Sequence, residues 1–305
     1  MITTDEYKKI IKDERTKSFD TPYDLTYKVF EDLGYHKKEP DYFIKNASEI
    51  VENLREGCWN RFQESEKNFT SRMLLNLIDE EKIKKMTSLE AITYFVENYP
   101  KHIYDLNLSN TQSRRSRAGK EFEAIIELLL VGAGIPMDAQ GNIGKKIFIE
   151  KGLGKLVDLV IPGATEFTIN KRYAILVSAK TTLRERWQEV PEEMGRTGAS
   201  EMFLATLDST SQQVLDTLYE ANITLTTTKN IKKTCYNNNI RVFTFEDLLL
   251  SARSNMDRWA NYSYSKEELE SEISLIEKQM NNHADHRFVY DYYLKRKEDI
   301  IKKLR

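Results

Sequence analysis

The sequence between Leu156 and Gly195 decides the predicted fold and its chemistry. It opens with LVDLVIP at residues 156–162, a short apolar run that carries one carboxylate, Asp158. A second apolar run, YAILVSAK at residues 173–180, ends in Lys180. Short runs rich in Val and Ile and bounded by Gly or Pro are typical of β-strands. Because strand side chains alternate between faces, Ser178 and Lys180 are predicted to share one face.

An aspartate on one strand and a lysine that closes the next indicate a site for phosphodiester cleavage. The carboxylate would bind a hard cation, and the ammonium would orient water or stabilise the attacked phosphate. Asp158 could instead be an ordinary strand-edge aspartate, although a carboxylate within an apolar run is costly to bury without a cation or a donor. The pair alone is weak evidence, so the neighbouring residues must decide.

Composition and charge exclude several classes of protein. The chain has 305 residues, of which 40% are hydrophobic and 31% charged, which is typical of a globular protein with one large domain or two smaller ones. It has no apolar run of membrane length and no signal-peptide core, so we expect a cytoplasmic protein without a membrane partner. Its two cysteines, Cys58 and Cys235, argue against a zinc site or a disulfide framework. The net charge of −2 does not indicate a nucleic-acid partner, so local clusters carry that question.

The chain divides into three predicted regions: a helical N-terminal region at residues 1–105, an α/β core at residues 106–262 and a helical C-terminal segment at residues 263–305. In the first region, apolar residues recur at helical spacing over Ser48–Phe69. In the last region, His283 and His286 have a spacing that can bind a metal, but their polar surroundings favour a surface turn.

The core is predicted to be a mixed β-sheet flanked by helices. Ile147–Ile149 is predicted to be a strand that forms a hairpin with residues 156–161, and the lysine-bearing strand comes third. A helix is predicted over Leu183–Arg196, followed by a strand over Glu201–Leu207. This order favours an α/β fold with an antiparallel front and a crossover behind it.

Two further carboxylates are candidates whose roles the spacing leaves open. Glu123 lies on the helix that precedes the strands, where a solvated surface position explains it equally well. Glu193 follows Pro191, which can open a helical turn, so its charge could simply favour the helix dipole.

The run TTLRERW at residues 181–187 is more informative. Thr182 and Glu185 fit a capping box, which would explain Glu185 as helix-start chemistry. That explanation leaves Arg184 and Arg186 in a first turn, where cations oppose the helix dipole. Arginine makes bidentate bonds to guanine and glutamate accepts from cytosine, so Arg-Glu-Arg indicates a reader of G·C pairs.

A basic run precedes the core helix. Four cations, Arg114, Arg115, Arg117 and Lys120, lie within seven residues and follow Gln112 closely. They could be the solvated start of a helix, but their density favours contact with DNA phosphates.

At Asp158, at Ser178-Ala179-Lys180 and at Arg184-Glu185-Arg186, the sequence resembles type II restriction endonucleases of the PD-(D/E)XK superfamily. The match is strongest to the SsoII-like branch, which is related to the EcoRII catalytic domain and to NgoMIV. This resemblance implies a PD-(D/E)XK nuclease core, Mg²⁺ as cofactor, double-stranded DNA as substrate and a homodimer. The sequence departs from the superfamily at Ser178, where an acid normally lies two residues before the lysine.

The resemblance also implies roles for individual residues. Asp158 and Glu193 would be the metal ligands, with Glu193 supplying the second acid from a downstream helix, as in the branch that the chain resembles. Glu123 would assist, and Lys180 would be the catalytic lysine. The base-reading residues would be Arg184, Glu185, Arg186 and Gln112, and the backbone contacts would be Arg114, Arg115, Arg117 and Lys120. The implied site is CCNGG, cut before the first C.

Arg55 and Trp59 lie four residues apart, on one face of the Ser48–Phe69 helix. By spacing alone, Trp59 is a core tryptophan and Arg55 a snorkelling arginine. The resemblance instead implies that the two residues form a pocket for an extruded central nucleotide.

Two other functions stay open. The departure at Ser178 is compatible with a non-catalytic DNA-binding regulator that keeps a nuclease-like fold, and a structure-selective repair nuclease is a third possibility. The sequence has no Gly-rich phosphate loop and no dinucleotide-binding fingerprint, so no nucleotide cofactor is expected.

Overall fold

Long helices dominate the N-terminal part of the chain, of which a computed structural model describes residues 2–304. The helices up to residue 132 are α1 (Thr4–Ser18), α2 (Pro22–Asp32), α3 (Pro40–Leu75), α4 (Glu80–Ile83), α5 (Ser88–Asn98) and α6 (Pro100–Gly132). Capping boxes begin two of them, with Thr3 and Glu6 at α1 and Thr87 and Glu90 at α5. No helix within residues 2–304 is both long and apolar enough to cross a membrane.

The chain forms two compact units. One combines Met1–Leu25 with Glu56–Glu121, and the other combines Thr26–Arg55 with Phe122–Arg305. These boundaries differ from residues 105 and 262, and the division of the chain into three regions stays a prediction.

The first unit has its own helical core. Seven buried side chains form it: Tyr7, Ile11, Phe69, Met73, Leu77, Tyr99 and Leu106. Tyr7 donates its hydroxyl hydrogen bond to the backbone oxygen of Met73 at 2.8 Å, so its polar end is satisfied inside the apolar cluster.

The second unit contains a six-stranded sheet. Its elements are β1 (Asp138–Ala139), α7 (Gln140–Ile143), α8 (Lys145–Glu150), β2 (Leu159–Ile161), α9 (Ala164–Ile169), β3 (Ile175–Lys180), α10 (Glu189–Thr197), β4 (Met202–Thr206), α11 (Gln212–Glu220), β5 (Ile223–Thr227), α12 (Lys229–Tyr236), β6 (Val242–Thr244), α13 (Phe245–Asp257), α14 (Lys266–Asn282) and α15 (Arg287–Leu304). The strand order follows the chain order. β1, β2 and β3 pair antiparallel, whereas β3 to β6 pair parallel. The predicted mixed α/β core, antiparallel in front with crossovers behind, is confirmed.

The predicted hairpin is wrong in one strand. Ile147–Ile149 lies within the short helix α8, where Phe148 is fully buried and Ile149 is 45% exposed. The antiparallel partner of β2 is instead β1, with Asp138 opposite Val160. A run of three apolar residues is too short for its periodicity to separate strand from helix.

Two predicted helix starts are also wrong. The basic run at residues 110–120 does not precede a helix but lies inside α6, which begins at Pro100. The helix predicted from Leu183 begins only at Glu189, after a 3₁₀ turn over Arg186–Gln188. Arg184 has a φ of +34°, a left-handed conformation that no helical turn accommodates. The capping-box explanation of Glu185 therefore fails.

The C-terminal helices bind the edge of the sheet through buried polar groups. The side chain of Gln279 on α14 donates to Asp138 Oδ1 at 2.8 Å and accepts from the backbone N–H of Ala139 at 3.2 Å. Its oxygen also accepts from the hydroxyl of Tyr293 on α15 at 2.9 Å. One fully buried amide thus joins both helices to β1.

His283 and His286 lie between α14 and α15, and the surface turn predicted for them is wrong. His283 is 1% exposed and His286 is 7% exposed. The two Nδ1 atoms lie 3.2 Å apart, and His283 Nε2 lies 2.8 Å from Glu127 Oε1 on α6. Polar sequence surroundings did not reveal that the junction folds inward.

Near this edge of the sheet, three buried carboxylates lie around one arginine, Arg296. The carboxylates are those of Asp138, Glu166 and Glu272. Arg296 contacts Glu272 at 3.1 Å and Asp138 at 3.5 Å. Glu166, which is 3% exposed, accepts a hydrogen bond from Tyr264 at 2.9 Å. Burial raises the pKa of Glu166 to about 7, with Glu272 and Asp138 adding to the effect and Arg296 opposing it.

We expect Glu166 to make the stability of the protein depend on pH. In the unfolded chain the pKa of Glu166 is near 4.5. As pH rises, Glu166 therefore loses its proton in the unfolded state before it does so in the folded state. Stability should fall between about pH 4.5 and pH 7 by up to about 3 kcal/mol and then level off. Urea unfolding at pH 5 and pH 8 should show a smaller loss in Glu166→Gln than in the wild type. Equal losses in the two proteins would contradict the assignment.

Candidate active site

Two strands bring Asp158 and Lys180 together. Asp158 directly precedes β2, and its backbone N–H donates to the oxygen of Val177 on β3 at 2.9 Å. Its carboxylate Oδ2 accepts from the backbone N–H of Ala179 at 2.6 Å and lies 3.1 Å from Lys180 Nζ. Lys180 closes β3 and is 6% exposed. The two residues predicted from their strands therefore form one ion pair, in which Lys180 is buried and Asp158 is half-buried.

The ammonium of Lys180 is held by a second acceptor. It donates to the backbone oxygen of Ala179 at 3.0 Å, in addition to Asp158. Since a lysine has three N–H donors, one stays available for a water or a phosphate oxygen. The position of this donor is fixed by the strand and the carboxylate.

Glu193 lies on α10, and its carboxylate reaches the loop in front of Asp158. Its Oε1 accepts from the backbone N–H groups of Lys155 and Leu156, the latter at 3.1 Å. Its Oε2 lies 3.7 Å from a nitrogen of Arg196. The side chain is 5% exposed, so the predicted second acid is buried beside the chain that carries Asp158.

Sequence analysis missed two residues that shape this loop. Gly154 has a φ of +81°, and a Cβ there would lie 2.0 Å from Glu193 Oε1. Any other residue would strain this backbone and would displace the Glu193 carboxylate from its present position. The side-chain amide of Gln140 donates to the backbone oxygen of Val157 at 3.0 Å. The backbone N–H of Gln140 donates to the backbone oxygen of Asp158 at 2.8 Å. The Gly-Leu-Gly sequence at residues 152–154 was the available signal.

The protein could supply only a few of the ligands that a hard cation needs, so water and phosphate would have to supply the others. Within residues 2–304, no three His, Cys, Asp or Glu side chains are arranged to hold a metal ion. Asp158 Oδ1 accepts no hydrogen bond within the same residues, and Glu193 is the other carboxylate at the site. Mg²⁺ is usually bound by one or two carboxylates, with water and phosphate completing the shell. Asp158 offers such an oxygen, whereas Glu193 Oε1 already accepts from two backbone N–H groups and Oε2 lies near Arg196, so the binding of a metal by the two together stays a prediction.

Ser178 and Glu123 complete the predicted acid positions. Ser178 lies on the same strand as Lys180, is fully buried, and its hydroxyl finds no hydrogen-bond partner within residues 2–304. Glu123 is half-buried on α6 between the buried side chains of Phe122 and Ala124. The structure thus leaves the role of Glu123 a prediction.

Arg184, Glu185 and Arg186 form an exposed turn between two anchored residues. On one side, Leu183 is 1% exposed within the core of the sheet unit, and on the other side Trp187 packs against the same core. The N–H of Arg186 donates to the oxygen of Leu183 at 2.7 Å, which closes the turn. Three consecutive polar side chains are therefore presented to solvent four to six residues after Lys180.

The basic run on α6 is partly committed to partners within the first unit. Arg114 makes a bidentate pair with the buried carboxylate of Glu66. Arg117 lies 3.2 Å from Glu121 and its guanidinium lies over the ring of Phe62. The three remaining polar residues of the predicted set, Gln112, Arg115 and Lys120, are exposed.

Trp59 does not lie in the core. It is 43% exposed and stacks on Phe62, with ring centroids 6.1 Å apart and an interplanar angle of 29°. Arg55, four positions earlier on α3, is also exposed. The spacing-based interpretation of Trp59 as a core residue is therefore wrong.

Comparison with known proteins identifies the family. The family model described as EcoRII C terminal matches residues 78–249. The chain is 55% identical over 292 residues to the type II restriction enzyme SsoII of Shigella sonnei, with 95% of this chain and 96% of that protein covered.

Solved structures agree with this match. Metal-depleted Ecl18kI in complex with uncleaved, modified DNA is 52% identical, has a TM-score of 0.93, and matches 98% of this chain and 100% of its own. A complex of the restriction endonuclease PspGI with substrate DNA is 18% identical with a TM-score of 0.60, covers 80% of this chain and 95% of its own, and shares the fold. The resemblance found in the sequence is confirmed: the chain belongs to the EcoRII C-terminal family and is a type II restriction endonuclease.

Proposed function

We propose that the protein is a homodimeric, Mg²⁺-dependent endonuclease that cuts double-stranded DNA at CCNGG before the first C. Two-fold symmetry of a homodimer would match a palindromic site and give one cut in each strand. The relative Ecl18kI is described in complex with DNA and as metal-depleted, which supports both a DNA substrate and a metal cofactor. Cytoplasmic location, where cellular DNA is found, is part of the proposal.

The observation that carries this proposal is the Asp158–Lys180 pair, at 3.1 Å, four residues from the exposed Arg184 turn. A cleaving group and a base-reading group within one short segment can be aligned to the same stretch of DNA. Neither group explains the other structurally, since Lys180 is buried and Asp158 half-buried, whereas the turn is exposed.

The catalytic roles follow from the side chains. Asp158 and Glu193 would bind Mg²⁺, with Glu123 assisting. Bound Mg²⁺ would polarise the phosphate and favour ionisation of a water. Lys180, with one free donor in a fixed position, would orient the attacking water or stabilise charge on the pentavalent phosphate.

A plasmid digest tests this function. With Mg²⁺, the wild type should cut a plasmid with CCNGG sites into discrete fragments, whereas Lys180→Ala and Asp158→Ala should be at least about 100-fold slower. Both variants should keep site-specific binding in gel shifts with Ca²⁺, because neither residue is assigned to base reading. Glu193→Ala should behave in the same way.

Lys266→Ala, which removes an exposed lysine from α14, should cut like the wild type. Intact plasmid with the wild type would favour the non-catalytic regulator, and cutting without discrete fragments would favour a structure-selective repair nuclease. Equal loss of binding and cutting would make Lys180 and Asp158 structural residues.

The base-reading proposal assigns G·C recognition to Arg184, Glu185 and Arg186, with Gln112 as a further base contact. Arg114, Arg115, Arg117 and Lys120 would contact the backbone, although Arg114 and Arg117 would have to share their charge with Glu66 and Glu121. Exposed Arg115 and Lys120 are the stronger candidates of the four.

We expect Arg184→Ala and Arg186→Ala each to weaken binding to a CCNGG duplex by about 10-fold to 100-fold. Affinity for a duplex without the site should change little, because phosphate contacts supply it. Fluorescence anisotropy in Ca²⁺ measures both affinities. Arg287→Ala, which removes an arginine whose side chain is 91% exposed on α15, should leave both unchanged. A parallel fall of both affinities in the Arg184 or Arg186 variant would exclude base reading.

Trp59 would stack on an extruded central nucleotide, with Arg55 on the other side of the base. In a site of five base pairs, two-fold symmetry leaves the central base pair without a counterpart. Extruding the two central nucleotides from the duplex costs a few kcal/mol. Stacking on an aromatic ring returns about 1–3 kcal/mol for any base, which suits an unspecified N. The exposed ring, supported from behind by Phe62, provides such a surface.

The test uses 2-aminopurine at the central position of a CCNGG duplex. Binding of the wild type should change the 2-aminopurine fluorescence. The size of this change should differ when Trp59→Ala binds. Unstacking raises the signal, while contact with the Trp59 ring quenches part of it. No response with the wild type, or an identical response in the variant, would exclude Trp59 as the platform. The control is Tyr104→Ala, which removes an exposed aromatic ring from α6 and should respond like the wild type. Trp187 is not used as a control because it packs beside the turn of Arg184, Glu185 and Arg186.

A further inference from the structure

Asp208 lies just beyond β4, next to the end of the lysine-bearing strand. Thr206, the last residue of β4, is the register partner of Lys180. The backbone N–H of Asp208 donates to the hydroxyl of Thr206 at 3.1 Å, which fixes the first turn after the strand. Asp208 thus starts from a position set by the same pair of parallel strands that positions Lys180.

Both carboxylate oxygens of Asp208 accept backbone N–H groups. Oδ2 accepts from Leu183 at 3.1 Å, and Oδ1 accepts from Ser209 at 3.0 Å. The bond to Leu183 joins the chain after β4 to the chain after β3, across 25 residues of sequence. A hydrogen bond from a backbone N–H to an ionised carboxylate is stronger than one to a neutral acceptor.

Leu183 is the residue immediately before the exposed turn. Its side chain is buried in the core of the sheet unit, and its backbone oxygen accepts from Arg186 at 2.7 Å. Arg184, which follows it, has a φ of +34°. A non-glycine residue in this conformation is strained and persists only when its surroundings fix it. The bond from Leu183 to Asp208 is one of the contacts that fix it.

We propose that Asp208 is a positioning residue for DNA recognition: its carboxylate fixes the Leu183 backbone and thereby the direction of Arg184 and Arg186. This inference rests on the proposed base-reading role of the turn. Asp208 touches neither DNA nor the metal in this proposal; it acts by holding the turn in the one shape that aims both guanidinium groups.

The experiment compares three variants in the full-length protein. Asp208→Ala removes both acceptors, and Asp208→Asn keeps one oxygen acceptor for the Leu183 N–H. Asp216→Ala removes a carboxylate of the same charge from α11, where Asp216 contacts Gln212 and Arg241 rather than the turn. Affinities for a CCNGG duplex and for a duplex without the site are measured in Ca²⁺.

Asp208→Ala should lower the ratio of specific to non-specific affinity by about 10-fold or more, because two bidentate contacts depend on the turn. Asp208→Asn should recover most of that ratio, and Asp216→Ala should not change it. A wild-type ratio in Asp208→Ala overturns the inference. So does an equal fall of both affinities with a lowered melting temperature, since that describes a residue needed only for folding.

Amide hydrogen exchange separates failure of this inference from failure of the proposed function. In the absence of DNA, Asp208→Ala should speed exchange in the peptide that contains Leu183 and the turn, whereas Asp208→Asn should not. If the wild type does not prefer CCNGG, the proposed function fails and the specificity role fails with it, while exchange still reports whether Asp208 anchors the turn. If the wild type prefers CCNGG and exchange is unchanged in Asp208→Ala, only the anchoring role is overturned.

Discussion

The antiparallel register between β2 and β3 is the constraint on which the site depends. Leu159 lies opposite Val177, and the N–H of Asp158 extends this ladder to the oxygen of Val177. This register places the Asp158 carboxylate on the N–H of Ala179 and beside the ammonium of Lys180. Because strand side chains alternate, a slip by one residue would turn Lys180 to the opposite face and separate the pair.

The Asp158–Lys180 pair is better understood as a positioning device than as a source of stability. Removing two charges from water costs several kcal/mol for each ion, and their attraction offsets this only when other hydrogen bonds complete the site. Here the N–H and the oxygen of Ala179 complete it, one for each partner. The strand backbone thus fixes both charges. An apolar pair at these positions could stabilise the fold more, but it would not orient a carboxylate and an ammonium.

Much of the core could be predicted because its signals are local. The predicted lysine-bearing strand is β3, which is buried along its whole length, and β4 lies within the strand predicted over Glu201–Leu207. The errors occur where the decisive partner is distant in sequence. Nothing near Ile147 reveals that Asp138 takes the place beside β2, and nothing near Leu183 reveals the carboxylate of Asp208.

The site shows the same division between local and distant signals. Asp158 and Lys180 were predictable from the strands that carry them, whereas spacing alone left Glu193 open. Its partners are backbone N–H groups of the loop before Asp158, and a backbone donor has no signature in the sequence. For Glu193, the assignment as second acid therefore rests on the resemblance to a family and stays a prediction.

The departure at Ser178 has a physical explanation in the surroundings of that residue. Ser178 is fully buried in β3, opposite Leu204 of β4, and its hydroxyl already has no hydrogen-bond partner within residues 2–304. A carboxylate at that position would need more room and a donor, and an unpaired buried charge is far costlier than an unpaired hydroxyl. Glu193 avoids this cost, because the loop before Asp158 offers two N–H donors and Gly154 leaves space for its side chain. If Glu193 is the second acid, as proposed, a serine two residues before the lysine is compatible with catalysis. The second acid would then depend on the contact between α10 and the loop before Asp158, where the usual arrangement depends on a single strand.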